Sequence, residues 1–137
     1  SDKYALTKNL LLKDKKAGTF LITVLPDRKV DMKSLPKLLG LKSANLRFTD
    51  CEFLGVSKGS VTPYALLNDT ENVVTVALDA ALMKAPLVCT HPLRCDRSVS
   101  VKPSDLVAFL EAVGHSPKII DFDAEPKVAT AAAKEQQ

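Results

Sequence analysis

The chain has 137 residues, of which 46% are apolar and 26% charged. That length suits one domain with a single core rather than two, and no apolar run approaches the roughly 20 residues of a membrane-spanning helix. The net charge of +3 hides an asymmetry: residues 1–60 carry 12 Lys/Arg against 6 Asp/Glu, residues 61–137 carry 7 against 10. A basic N-terminal half suits contact with a polyanion, and its moderate charge suits a short end of nucleic acid better than a long duplex.

The opening Ser1-Asp2-Lys3-Tyr4 has no apolar signal segment, so a soluble, cytoplasmic protein is expected. Cys51, Cys89 and Cys95 are odd in number and cannot all pair within the chain, which fits reduced thiols in a cytosolic compartment. Cys89, His91 and Cys95 lie near one another in sequence. They include no CxxC pair and supply too few ligands for a structural zinc, so no metal is expected.

In chain order, Lys8 to Leu12 reads as a short buried strand. A charged turn, Lys13 to Gly18, leads to a second strand from Thr19 to Leu25, stopped by Pro26-Asp27; the two suggest a hairpin. Asp31 can cap a helix running to about Leu39, with Gly40 at its end. A start at Ser34 instead places Pro36 in the first turn, where its missing N–H is harmless, and the sequence leaves the two open. Asn45 to Phe48 looks like a third strand, Cys51 to Leu54 a brief helical turn, and Ser57 to Pro63 a loop.

Ala65-Leu66-Leu67 and Val73 to Leu78 flank Asn68 to Asn72 in the pattern of a second hairpin. Leu87 to Thr90 and Ser98 to Val101 are further strands around His91-Pro92. The clearest helix starts at Pro103, carries Leu106, Phe109, Leu110 and Val113 at helical spacing, and ends at Gly114 before the loop residue His115. Lys118 to Phe122 is a last strand, and residues 124–137 read as a linker or disordered tail. The expected fold is a single α+β domain, residues 1–123, around a mostly antiparallel or mixed central sheet flanked by helices.

Chemistry enters through the order of three segments: Lys8-Asn9-Leu10-Leu11-Leu12-Lys13-Asp14-Lys15-Lys16, then Gly59-Ser60-Val61-Thr62-Pro63 with Tyr64 to Asp69, then Thr90-His91-Pro92-Leu93. The Asp105 to Leu110 helix and Gly114-His115 follow. This order resembles the YbaK and prolyl-tRNA-synthetase-associated editing domain family over nearly the whole chain, from about Lys8 to Phe122. The wording of the first segment and of Asn45 to Phe48 looks closest to the Ala-tRNA(Pro) deacylase branch. Family members usually carry a further helix and strand before the first segment, where this sequence has seven residues.

The resemblance implies an aminoacyl-tRNA deacylase that hydrolyses the ester of mischarged tRNA(Pro), Ala-tRNA(Pro) first and Cys-tRNA(Pro) second. The implied partners are the tRNA(Pro) acceptor end and, in cis or in trans, a prolyl-tRNA synthetase; no cofactor, membrane or DNA is implied. It assigns Lys8 an essential role near the terminal nucleotide, where an ammonium meets phosphate or ribose oxygens. It also sets Gly59, Ser60, Val61, Thr62 and Pro63 around the aminoacyl carbonyl, with backbone N–H groups as oxyanion donors. Asn9 binds ribose or phosphate beside Lys8, and His91 borders the pocket. Lysine carries its proton at neutral pH, so positioning suits Lys8 better than proton abstraction. Ser60 and Thr62 lack the His–Asp partners of an activated nucleophile. Two other readings stay open: the excised editing domain of a larger prolyl-tRNA synthetase, and a non-catalytic tRNA-binding or synthetase-regulatory module of the same fold.

Overall fold

The computed structural model of the chain describes residues 5–42, 44–50, 54, 61–90 and 99–123. Eight strands occur there: β1 (Ala5–Leu6), β2 (Lys8–Asp14), β3 (Gly18–Val24), β4 (Arg47–Phe48), β5 (Val74–Asp79), β6 (Val88–Thr90), β7 (Val99–Val101) and β8 (Lys118–Ile120). Two α-helices, α1 (Leu35–Leu38) and α2 (Pro103–Ala112), and two 3-10 helices, Pro63–Asn68 and Ala80–Lys84, accompany them.

The main sheet has the order β4-β2-β3-β5-β8. It is mixed: β2 is antiparallel to β3 and β4, whereas β5 runs parallel to β3 and β8 parallel to β5. A smaller sheet, β1-β6-β7, joins β1 parallel to β6 and β6 antiparallel to β7. The α+β class and the mixed central sheet are therefore as expected.

Alternation along the strands divides the apolar interior into two layers. Leu11, Leu21, Val74, Val76 and Leu78 pack on one side with Leu54, Ala65, Leu66, Leu82, Val88, Leu106 and Leu110. Leu12, Phe20, Ile22, Val24 and Ala77 pack on the other with Leu35, Leu39, Leu46 and Ile120. The single core expected from length is thus cut in two by the sheet, with α2 on one face and α1 on the other.

The second hairpin is not formed. Ala65 to Leu67 belong to the 3-10 helix Pro63–Asn68, and β5 lies between β3 and β8. The physical reason is local. Thr62 accepts from the Tyr64 amide as an N-cap and Pro63 occupies the first turn, a helix-start signal that overrides the apolar triplet. Five of six β5 residues are buried, the near-continuous burial of a central parallel strand rather than of a half-exposed hairpin arm.

The helix in the thirties takes the second of its two starts. Asp31 accepts from the Lys33 amide and the Ser34 hydroxyl, which builds a turn ahead of the helix. Leu35–Leu38 then follows with Pro36 in the first turn. Gly40 and Gly114 have φ of +81° and +87°, the left-handed backbone expected after a helix end. β1 has no counterpart in the sequence reading, because two residues carry no periodicity. Of the expected helical turn Cys51 to Leu54 only Leu54 is described, and residues 51–53, 55–60 and 124–137 lie outside the described residues.

An ion cluster closes the carboxyl ends of β3 and β5. Asp79, fully buried, accepts from the Leu25 and Ala81 amides and from Arg28. Arg28 also reaches the exposed Asp123 at 2.8 Å and lies 5.4 Å from the centre of the Phe122 ring. Asp123, Asp79 and partial burial together decide the balance, and the two carboxylates raise the Arg28 pKa further above its ordinary value. Asp79→Ala leaves two amides and the Nε–H of a largely buried guanidinium without their acceptor, and is expected to destabilise the fold by about 3 kcal/mol, read as a shifted urea midpoint. Asp123→Ala, at an exposed end of the same cluster, is expected to leave that midpoint nearly unchanged.

Candidate functional site

β3, β5 and β8 point the same way, and their carboxyl ends lie at Val24, Asp79 and Ile120. β2 runs against them, so its first residues meet those ends: Lys8 pairs with Val24 and Asn9 with Thr23. Open sheets with parallel strands bind ligands outside the carboxyl ends. The register therefore delivers the two foremost sequence candidates to the edge where a site is expected.

Thr23 is fully buried, and its hydroxyl donates to the Asn9 Oδ1 at 2.5 Å. That bond fixes the half-buried Asn9 amide and presents its NH2 end as the donor side. Asn9 shares the strand parity of Leu11, whereas Lys8 shares that of Leu10 and Leu12. The two neighbours thus leave opposite faces of β2 at its first turn into the sheet. The smaller sheet abuts this point, since the Thr7 hydroxyl donates to the Cys89 carbonyl at 3.0 Å.

Of the second segment, Val61 packs against the layer that contains Leu11 and Leu21, the face that Asn9 shares. Thr62 is fully buried, its hydroxyl serving as the acceptor for the Tyr64 amide at 3.5 Å. A hydroxyl buried in a cap is not placed to attack a substrate. Pro63 is buried behind it. Gly59, Ser60 and His91 lie outside the described residues, as do Cys51 and Cys95. Cys89 is a free thiol, half-buried in β6, and among the described residues no group of three or more His, Cys, Asp or Glu is gathered to hold a metal.

The anchor of the Val61–Pro63 segment is the 3-10 helix that follows it. Tyr64 meets Phe109 of α2 edge-on, with ring centres 5.1 Å apart. At the far end Asp69 accepts from the Val73 and Val74 amides at 3.1 and 2.8 Å and pairs with His115 Nε2 at 2.8 Å. His115 Nδ1 faces the Val113 carbonyl at 3.1 Å. The sequence marks His115 only as a loop residue after a glycine. In the fold it is 3% exposed, and it ties the helix to α2. Thr23, Thr7 and the Asp69–His115 pair were not found by sequence reasoning, because each acts through a partner distant in the chain.

With this geometry in place, comparison with known proteins gives a consistent result. The model of the aminoacyl-tRNA editing domain family matches residues 1–109. The chain belongs to that family. A protein of Bos taurus named prolyl-tRNA synthetase associated domain-containing protein 1 is 41% identical over 128 residues, 88% of this chain and 74% of that protein. The prolyl-tRNA editing protein ProX of Acetoanaerobium sticklandii is 30% identical over 120 residues, 85% of this chain and 73% of that protein. A solved structure described as that of a candidate trans-editing enzyme for prolyl tRNA synthetase superposes with a TM-score of 0.60 at 21% identity, over 85% of this chain and 69% of that one. It shares the fold. As an editing domain, the chain has tRNA as its class of partner, and among its described residues no helix is long and apolar enough to cross a membrane.

The Asp69 clamp gives a pH-dependent stability. Burial pushes the Asp69 pKa up, but the bonds from His115, Val74 and Val73 outweigh it and hold the group below the ordinary carboxylate value. A folded-state pKa below the unfolded one gives stability that is full above the unfolded value near pH 4 and is lost as the pH falls through the folded value. Asp69→Asn is therefore expected to lower the unfolding free energy by about 1–3 kcal/mol at pH 7, with the gap to wild type narrowing at pH 3. Urea titrations of both proteins at the two pH values check it.

Proposed function

We propose that this editing domain is a deacylase that hydrolyses the ester of mischarged tRNA(Pro), Ala-tRNA(Pro) first and Cys-tRNA(Pro) second, free-standing or joined to a prolyl-tRNA synthetase. The observation that carries the reading is the register of β2 on β3, which brings Lys8 and a Thr23-fixed Asn9 to the carboxyl ends of the parallel strands, one on each face. The relative named as a prolyl-tRNA editing protein supports the choice of tRNA(Pro).

Ester hydrolysis asks little of a protein beyond placement. In this reading the Lys8 ammonium meets phosphate or ribose oxygens of the terminal adenosine, and the Asn9 amide donates to the same nucleotide. Backbone N–H groups of the Gly59–Val61 stretch stabilise the oxyanion as water adds to the aminoacyl carbonyl. The carbonyl carbon–ribose oxygen bond then breaks, the amino acid leaves as the free acid, and the water proton passes to the ribose oxygen. The neighbouring ribose hydroxyl positions that water, so no protein base is required. His91 borders the aminoacyl pocket. Alanine is the preferred residue because a synthetase pocket for proline rejects a smaller side chain by only about 1–3 kcal/mol, whereas a small second site excludes proline by size.

Single-turnover assays of Ala-, Cys- and Pro-tRNA(Pro) test the proposal. Alanine is expected to be released fastest and proline to stay attached, and Lys8→Ala is expected to slow alanine release by about 100-fold or more. Replacing the terminal 2′-hydroxyl by hydrogen is expected to abolish release. Failure to cleave any of the three while tRNA still binds overturns the catalytic reading and favours the binding module.

A further inference from the structure

At the other end of β2 lies a cleft that the proposed chemistry does not use. It encloses about 710 Å³ and is lined by Lys13, Asp14, Lys15 and Lys16 of the β2–β3 turn and by Ala44, Asn45, Arg47, Phe48 and Thr49 around β4. Four cations thus line one concavity with a single described carboxylate. Asp14 is already committed: its Oδ2 accepts from the Lys16 and Ala17 amides, each at 2.8 Å, and its Oδ1 from the Asn45 amide at 2.7 Å. It braces the turn against the segment leading into β4, and so shapes the cleft rather than neutralising it.

Two further features point to the kind of ligand. Lys13 and Arg47 are register partners on adjacent antiparallel strands, so two like charges stand directly opposite each other. That placement costs stability in the free protein and favours an anion between them. Phe48, the next residue of the edge strand, also lines the cleft and is 69% exposed. A concave row of cations with an exposed aromatic is the combination that holds a nucleic-acid strand, the cations following the phosphates and the ring stacking on a base.

We propose that this cleft is a second RNA contact of the domain, binding the phosphodiester backbone of the tRNA at a point away from the reacting end, with a base stacked on Phe48. It rests on the editing reading for the identity of the RNA. Lys8 and Lys13 are five residues apart on one strand, about 17 Å at the rise of an extended chain. The odd spacing also sends the two side chains to opposite faces of the sheet, so the RNA reaches the second contact by passing the β2–β4 edge, and the cleft adds affinity and register while Lys8 meets the terminal nucleotide.

The test measures binding of uncharged tRNA(Pro) at a series of KCl concentrations, which needs no hydrolysis. The combined variant Lys15→Ala/Lys16→Ala/Arg47→Ala is expected to weaken binding about tenfold or more, and to make the slope of log affinity against log salt shallower by about two to three. Phe48→Ala is expected to weaken binding at least about fivefold with the slope unchanged. Lys29→Ala/Lys33→Ala, which removes two exposed lysines outside the cleft, is expected to change neither affinity nor slope beyond a small uniform effect. Thermal unfolding of each variant checks that the fold is retained. Wild-type affinity and slope in the triple variant, an equal loss in the Lys29/Lys33 control, or no binding of tRNA by the wild type each overturn the cleft proposal. A protein that binds tRNA through the cleft but cleaves no ester overturns the deacylase reading alone.

Discussion

Strand β3 is hydrogen-bonded on both sides, antiparallel to β2 and parallel to β5, and the rest of the molecule is arranged around that double pairing. Its partner β2 is fixed in register over seven residues, and a slip by one residue would exchange Leu10 and Leu12 for Leu11 between the two apolar layers. Burial on both faces therefore locks the register, and the register in turn decides that Lys8 and Asn9 arrive at the carboxyl ends while Lys13 arrives at the turn. Both proposed RNA contacts are consequences of one strand held from both faces.

The polar groups near these ends are satisfied within the fold. Thr23 bonds Asn9, Asp79 gathers Arg28 and two amides, and Asp69 gathers His115 and two amides. Each is buried, and each would be costly without its partner. Their effect is rigidity where a small difference in geometry matters. A site that works by placement rather than by a strong base depends on such a supporting shell, because loosening it by an ångström costs rate without removing any reacting group.

The apolar and charged parts of the sequence have separate tasks. The apolar layers are built of Leu, Val, Ile and Ala with Phe20, and the buried Asp69 and Asp79 are each paired. Four cations of the N-terminal half, Lys13, Lys15, Lys16 and Arg47, gather at the β2–β3 turn and the neighbouring β4 edge. The basic cleft thus lies at one end of the sheet and the Arg28–Asp79–Asp123 cluster at the other.

Sequence by itself determined the local elements whose signals are local. The Lys8-to-Val24 hairpin, the Pro103 helix with Gly114 at its end, and the strands at Val88 and Val99 follow from periodicity, proline and glycine, which act within a few residues. The ordered segments beginning at Lys8, Gly59 and Thr90 also sufficed to point to the editing family. Tertiary structure decided what depends on distant partners. Ala65 to Leu67 are as apolar as a strand, yet a capping threonine and a proline turn them into a 3-10 helix, and Val74 to Asp79 pair with strands far away in the chain. Strand parity put Lys8 and Asn9 on opposite faces, Thr23 fixed the Asn9 amide, and Asp69 drew His115 out of solvent. No residue type or spacing encodes such pairings, because their energy comes from burial and hydrogen bonds that exist only once the sheet has closed over them.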